Sequence, residues 1–197
     1  MNLKLRTLIF FIIGACLCVS CQDFFAPPKN IDIDSEEYAV YNAVLESWYE
    51  LSTVSQVLLI DHTRVNSDEL LEFDLASFQE TTPLDGELIN SFKERNKEPY
   101  PLKPDLDFGL DYQLLTQEEV DKLYPQDKAS GWELFWEIYP EASGFIYLSR
   151  VGFSANFKNA LVYMAQYRYD QPIHGGYYLL IKKQGGWEII NGYEWMT

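Results

Sequence analysis

Four apolar segments in the last third of the chain predict an antiparallel sheet. They alternate or run apolar and are rich in Val, Ile, Tyr and Phe, as strands are: 145–153, 160–169, 176–183 and 186–195. Short turn-forming segments separate them, at 154–159, 170–175 and 184–185. Sequential strands with short connections typically form a meander. We expect one face of this sheet to pack against helices.

Helical spacing dominates the segment before the sheet. Apolar side chains recur there at intervals of three and four residues: Tyr41, Val44, Leu45, Trp48 and Leu51. This spacing predicts an amphipathic helix over 35–51. Asp34, followed three residues later by Glu37, has the pattern of a capping box that would open this helix.

Further helices are predicted over 83–96, 116–124 and 130–139, and short strands over 54–60 and 112–115. Residues 64–82 show no strong period. Helices followed by a run of strands indicate the α+β class. We therefore predict N-terminal helices packed on a C-terminal antiparallel meander of about four strands.

The first twenty residues have the pattern of a signal peptide. Lys4 and Arg6 precede an apolar stretch, 7–19, which is shorter than the ~20 residues that span a bilayer. The stretch ends in Val19-Ser20-Cys21, which resembles the lipobox of bacterial lipoproteins. In that family the cysteine receives a diacylglyceryl group and the chain is cut just before it.

The resemblance implies a lipid at Cys21 and attachment to a membrane of the bacterial cell envelope, with the domain in the periplasm or outside the cell. Cys16, after Ile13-Gly14-Ala15, is a less favoured site. The alternative is that these cysteines are apolar filler in an ordinary signal or membrane anchor. The predicted organisation is a signal peptide over 1–20, an extended tether over 21–33 and a single α+β domain over 34–197.

Charge and cysteine placement narrow the function classes. The formal net charge is −15, and loss of Lys4 and Arg6 with the signal peptide makes it more negative. Such a chain repels phosphate backbones, so no nucleic-acid partner is expected. All three cysteines lie at or before Cys21. The domain that follows therefore has no disulfide, thiol nucleophile or thiolate metal site.

Four side chains are candidate ligand contacts: Asp61, His62, Arg150 and His174. Asp61 and His62 follow a predicted buried strand, although a simple strand-exit turn has the same composition. Arg150 could clamp a carboxylate ligand, or it could pair with an internal acid such as Glu137. The chain has only two histidines and no HExxH motif, and no cysteine follows Cys21 to form a CxxC motif in the domain, so no metal site, cofactor or catalytic residue is predicted.

The C-terminal block resembles a recurring pattern of uncharacterised exported bacterial proteins. The matching segments are 131–135, 139–140, 149–153, 160–163 and 176–189. Its last two strands resemble the end of nuclear transport factor 2-like (SnoaL-type) domains, where a long hairpin with a tryptophan after its turn closes a curved sheet around a pocket.

Two functions remain open. The favoured one is a binding or accessory role with a protein or glycan partner, since clustered tyrosines on neighbouring strands can form a binding surface as well as a core. The alternative, implied by the SnoaL-type resemblance, is an enzyme that uses a pocket acid such as Asp61 with His62 or His174. The oligomeric state is not predicted.

Overall fold

The computed structural model describes residues 31–48, 55–64, 69–123, 128–168 and 174–196, with the backbone alone at 69–74, 128–131 and 195–196. Five helices and seven strands lie in these ranges. The helices are α1 (Ile33–Ser47), α2 (Glu69–Thr81), α3 (Gly86–Arg95), α4 (Gln117–Leu123) and α5 (Lys128–Ile138). The strands are β1 (Gln56–Ile60), β2 (Asp111–Leu115), β3 (Ala142–Leu148), β4 (Gly152–Phe153), β5 (Asn159–Tyr167), β6 (His174–Lys183) and β7 (Gly186–Met196).

All seven described strands belong to one mixed sheet of order β2-β1-β3-β5-β6-β7, with β4 paired to β5. Strands β3, β5, β6 and β7 pair antiparallel in sequence order. Strand β1 pairs parallel with both β2 and β3. The α+β class predicted from the sequence is therefore found. The predicted meander describes only part of the sheet, because two parallel strands extend it beyond β3.

The helices explain how parallel strands arise in this chain. Parallel neighbours require a crossover connection, since a tight turn can only reverse the chain. Helices α2 and α3 lie between β1 and β2 in the sequence, and α4 and α5 lie between β2 and β3. The segment 64–82, which shows no period in the sequence, contains α2 and supplies part of the first crossover.

Helices cover both faces of the sheet, whereas the sequence predicted helices on one face only. Tyr178 and Leu180 of β6 pack in the same cluster as α1. Their neighbours Tyr177 and Leu179 point the opposite way and pack with α2 and α3. A third cluster joins α4 and α5 to the inner strands β1 and β3. Because side chains alternate along a strand, a sheet this apolar on both faces needs two helical layers.

Helix α1 begins differently from the sequence prediction. Its N-cap is Asp32, whose side chain accepts hydrogen bonds from the backbone N–H groups of Asp34 and Ser35. The predicted capping box of Asp34 and Glu37 is therefore wrong, and Glu37 is 1% exposed. A buried carboxylate needs hydrogen-bond donors around it, and the adjacent α3 and β3–β4 turn supply them.

The turn between β3 and β4 packs tightly on α3. A Cβ atom added to Gly152 would lie 2.5 Å from Cβ of Phe92 and 2.6 Å from its backbone N. Only glycine allows this approach, so Gly152 fixes the distance between β4 and α3. At the other end of the sheet, the β6–β7 hairpin places Trp187 after its turn, where it donates a hydrogen bond of 2.9 Å to Glu36.

Candidate functional site

The predicted lipid-attachment site lies outside the described residues. This applies to residues 1–20, to both Cys21 and Cys16, and to the predicted tether as far as residue 30. Within the described ranges, no helix combines the length and apolar character needed to cross a membrane. The lipobox prediction therefore stays a prediction from the sequence.

Asp61 and His62 lie where β1 leaves the sheet and pair with the segment around Tyr100. The backbone N–H of Asp61 donates to Leu115 O at 2.8 Å, and its carbonyl accepts from Leu102 N at 2.7 Å. His62 Nδ1 is 2.6 Å from Asp61 Oδ1, and the His62 side chain is 49% exposed. The two side chains bond each other at the surface, as in a strand-exit turn.

Arg150 is held by an internal acid, and that acid is Glu37 on α1. Arg150 donates from Nε to Glu37 Oε1 at 3.2 Å and from a terminal nitrogen to Oε2 at 2.8 Å. The partner suggested by the sequence, Glu137, is wrong, since Glu137 is exposed on α5. The guanidinium also stacks 3.7 Å from the ring centroid of Tyr100, a cation–π contact.

Three more donors converge on the same carboxylate. Arg95 donates to Oε2 at 2.7 Å, while the Val151 N–H at 2.8 Å and the Tyr41 hydroxyl at 3.0 Å donate to Oε1. The hydroxyl of Tyr41 is also 2.9 Å from Ser149 O. Nε of Arg95, beside this cluster, is buried and has no hydrogen-bond partner in the described part of the chain.

Electrostatics favour the charged form of Arg150 and the neutral form of Tyr41. Burial opposes the charge of Arg150, but the hydrogen bond and charge of Glu37 outweigh it and raise the pKa of Arg150. Burial, followed by the charge of Glu37, raises the pKa of Tyr41 well above its usual value. Tyr41 therefore keeps its proton. The cluster ties α1, α3 and the β3–β4 turn together, and Glu37 occupies the fork of Arg150 that could hold a ligand carboxylate.

A shallow polar cleft of about 470 Å³ lies beside the first turns of α1. Asp32, Asp34, Lys103 and Asp105 are among its lining residues. Lys103 Nζ lies 2.9 Å from Asp34 Oδ2. This hydrogen bond, more than the small opposing effect of burial, lowers the pKa of Asp34. Both partners are about half exposed, so the pair is solvent-screened and adds little to stability.

His174 lies in a different part of the sheet from the other three candidates. The register runs from Leu59 through Ile146 and Gln166 to His174, which is three strand spacings, or about 14 Å. Asp61 lies two residues beyond Leu59 at the far end of that row. The structure therefore brings Asp61 and His62 together and leaves His174 separate from them.

Polar and aromatic side chains surround His174, and we call this group the His174 corner. It consists of Trp48, Gln166, His174, Tyr178 and Glu194. Nε2 of the histidine is 3.3 Å from Glu194 Oε2, and the Tyr178 hydroxyl donates to Glu194 Oε1 at 3.1 Å. The ring centroid of Trp48 lies 5.0 Å from that of His174. Gln166 is the cross-strand partner of His174 on β5.

Sequence reasoning found His174 but missed its neighbours. Trp48 belongs to the apolar stripe of α1, a pattern that predicts only a packing role. Only Gln166 could have been singled out from the sequence. It is a polar residue at every-second-residue spacing from Val162 and Met164 on β5, which face the cluster that contains α1. A polar side chain at such a position is buried, and here Gln166 is 2% exposed.

Comparisons of this chain with protein-family models, curated proteins and solved structures find no match. The function is therefore argued from the chain's own residues. Of the groups described above, the His174 corner combines a candidate residue from the sequence with aromatic faces and buried polar atoms. Ligand sites typically combine apolar walls with a few such polar groups.

Proposed function

We propose that this protein is a lipid-anchored component of the bacterial cell envelope whose folded domain binds a ligand or partner. The observation that carries the anchor is the apolar stretch that ends at Cys21. Asp32 caps the first helix eleven residues after Cys21, and an extended chain of that length spans at most ~40 Å. Acyl chains at Cys21 would hold the domain close to the membrane on this short tether.

Attachment would depend on lipid rather than on surface charge. The formal net charge of −15 is repelled by anionic headgroups. One acyl chain gives marginal binding, whereas the two or three of a lipoprotein anchor hold stably. The protein should therefore stay with membranes that have been washed at high salt, because salt screens charge and leaves acyl insertion intact.

The distribution of the candidate residues supports a binding role over catalysis. Asp61 and His62 bond each other at an exposed strand end. The fork of Arg150 is occupied by Glu37. An enzyme that used Asp61 with His174 would need both side chains at one pocket, and the register separates their strands by about 14 Å. The SnoaL-type alternative is thus less well supported.

Metabolic labelling tests the anchor. Bacteria that express the full chain are grown with an alkyne fatty acid, and the purified protein is probed for the label. We expect label on the native chain and on the matched control Cys16→Ala, and none on Cys21→Ala. Loss of label only in Cys16→Ala would move the site to Cys16. A native chain that carries no label would refute the anchor itself.

A further inference from the structure

Helix α5 keeps large apolar side chains at the surface, although it packs on the sheet. Its Phe135 is buried in the cluster with β1 and β3. Three of the five exposed large apolar side chains in the described part of the chain lie on this one helix: Leu134 and Trp136, each 39% exposed, and Ile138, 51% exposed. A helix that is apolar on several sides is normally covered on those sides. The exposed sides of α5 therefore indicate an interaction surface.

Acidic side chains lie between the exposed apolar ones, and we call the whole group the α5 surface. It consists of Glu133, Leu134, Trp136, Glu137 and Ile138. Side chains three and four residues apart are neighbours on a helix, so Leu134 lies beside both Glu137 and Ile138. Trp136 lies beside Glu133 by the same spacing. Both glutamates are exposed, and neither forms an ion pair with another described residue. The α5 surface therefore offers carboxylates with apolar side chains on either side.

We propose that the α5 surface docks a basic segment of a partner protein. Arginine and lysine side chains have apolar stems that end in a cationic head. The stems can cover Leu134 and Ile138, while the heads reach the carboxylates beside them. A guanidinium can also stack on the ring of Trp136. Tryptophan and arginine are both enriched among the residues that carry most of the binding energy of protein interfaces.

Charge complementarity favours a basic segment over a second copy or a bilayer. Helix α4 packs in the same cluster as α5, and the two helices together contain five acids and two lysines, in a chain of net charge −15. A symmetric dimer through α5 would set Glu133 and Glu137 of each copy against the same residues of the other. Anionic lipid headgroups would meet the same carboxylates. Both contacts bring like charges together, whereas a basic segment brings opposite charges together.

The α5 surface also lies on the face of the sheet opposite to α1. Leu59 of β1 faces the cluster that contains α1, and its neighbour Leu58 faces the cluster that contains α5. The predicted tether joins the domain at Asp32, the N-cap of α1. Acyl chains at Cys21 would therefore hold the α1 side nearer the membrane and leave the α5 surface accessible to a partner. This inference rests on the proposed binding role and names the partner class for it.

Indole resonances of the full chain provide the test. The chain has five tryptophans, so protein labelled with ¹⁵N-tryptophan gives a small set of signals, and Trp136→Phe identifies the one from Trp136. The protein is held in zwitterionic micelles and titrated with a ten-residue peptide in which arginine alternates with alanine. A second peptide has glutamate in place of every arginine.

We expect the Trp136 signal to shift saturably with the arginine peptide and to stay in place with the glutamate peptide. Glu133→Gln combined with Glu137→Gln should weaken the apparent affinity about tenfold, which corresponds to about 1.4 kcal/mol. The matched control, Glu94→Gln combined with Glu98→Gln, removes the same charge from exposed positions on α3 and just after it. Because salt screens such distant charges, the control should leave the affinity within about twofold. If the double variant on α5 loses the fold, seen as collapse of the indole signals, the two single substitutions replace it.

Several results would overturn the proposal. A Trp136 signal that neither peptide moves, or that both move equally, would exclude recognition of a basic segment. A signal that shifts only on raising the protein concentration would indicate a second copy as the occupant, and one that shifts only on adding phosphatidylglycerol would indicate a bilayer. Equal weakening by the two double variants would show that binding follows net charge alone. A shift confined to the other indole signals would refute this site and leave the binding role standing. Labelling at Cys21 is measured separately, so failure of the anchor is distinguishable from failure of this surface.

Discussion

Replacement of the buried Glu37 by glutamine should strongly destabilise the fold. Glutamine keeps the shape of the side chain and changes its hydrogen bonding and charge. The carboxylate accepts from five donors, two on Arg150 and one each on Arg95, Tyr41 and Val151. A glutamine accepts at only one of its two terminal atoms. Its NH₂ group would meet the donors that Oε1 or Oε2 now satisfies.

The magnitude follows from the burial of the charges. Glu37 is 2% exposed at its side chain, while those of Arg95 and Arg150 are 20% and 15% exposed. Removal of one partner from a buried ion pair costs about 3–5 kcal/mol, because the remaining charge stays uncompensated. Partial exposure of both arginines lets water relieve some of this cost, so we expect about 3 kcal/mol. Domains are stable by only about 5–15 kcal/mol.

Urea denaturation of the chain expressed from residue 22 onwards measures this difference. The matched control is Glu94→Gln, since Glu94 is 66% exposed and pairs with the equally exposed Lys97. Exposed pairs of this kind contribute less than about 1 kcal/mol. If Glu37→Gln changed the free energy of unfolding no more than Glu94→Gln does, the cluster would not hold α1 to α3 and the reasoning would fail.

Two further substitutions probe backbone and capping. Gly144→Ala should prevent folding or lower the free energy of unfolding by several kcal/mol, because Gly144 has φ +152° and a Cβ there would lie 2.0 Å from Tyr167 O. The control Gly185→Ala, where a Cβ would meet no atom within 4 Å, should change the free energy of unfolding by no more than about 0.5 kcal/mol. Equal melting temperatures of the two variants would contradict this prediction. Thr116→Ala should cost about 1 kcal/mol by removing the cap of α4. The Thr116 backbone N–H, and after it the hydroxyl, lower the pKa of Glu119, so that pKa should rise part of the way in a carboxyl NMR titration. Because the pKa of Glu119 is lower in the folded state, its small contribution to stability is present at neutral pH and is lost as pH falls through the folded pKa. An unchanged Glu119 titration in Thr116→Ala would show that the hydroxyl does not affect this pKa.

Local patterns were sufficient to predict the antiparallel half of the sheet. The segments of β3, β5, β6 and β7 alternate or run apolar and are separated by turn-forming residues, and both signals are contained in short windows of sequence. The single strand predicted over 145–153 is wrong in one respect, because a turn divides it into β3 and β4. The parallel pairing of β1 with β2 and β3 left no such signal. It depends on the crossovers through α2, α3, α4 and α5, and α2 lies in a segment without an apolar period.

The capping role predicted for Glu37 is wrong for a related reason. Three residues after Asp34, it has the spacing of a capping box, and that rule uses only local sequence. Glu37 also lies four residues before Tyr41, which extends the buried stripe of α1 backwards by one turn. The choice between the two roles depends on Arg95 and Arg150, which are far away in sequence. Only the assembled fold brings them to the carboxylate.

The cluster around Glu37 and the His174 corner differ in which of their hydrogen-bonding atoms are already paired. Both oxygens of Glu37 are fully used by donors of the chain itself, so the group around it holds elements together and has no acceptor left for a ligand. In the His174 corner, Trp48 Nε1 and Gln166 Oε1 are equally buried and find no partner among the described residues. A fold gains nothing from burying a donor and an acceptor that it leaves unpaired. Arg95 Nε beside Glu37 is also unpaired among the described residues, so the two clusters differ in their acceptors: the carboxylate of Glu37 is used up by donors of the chain, whereas Gln166 Oε1 is without a donor.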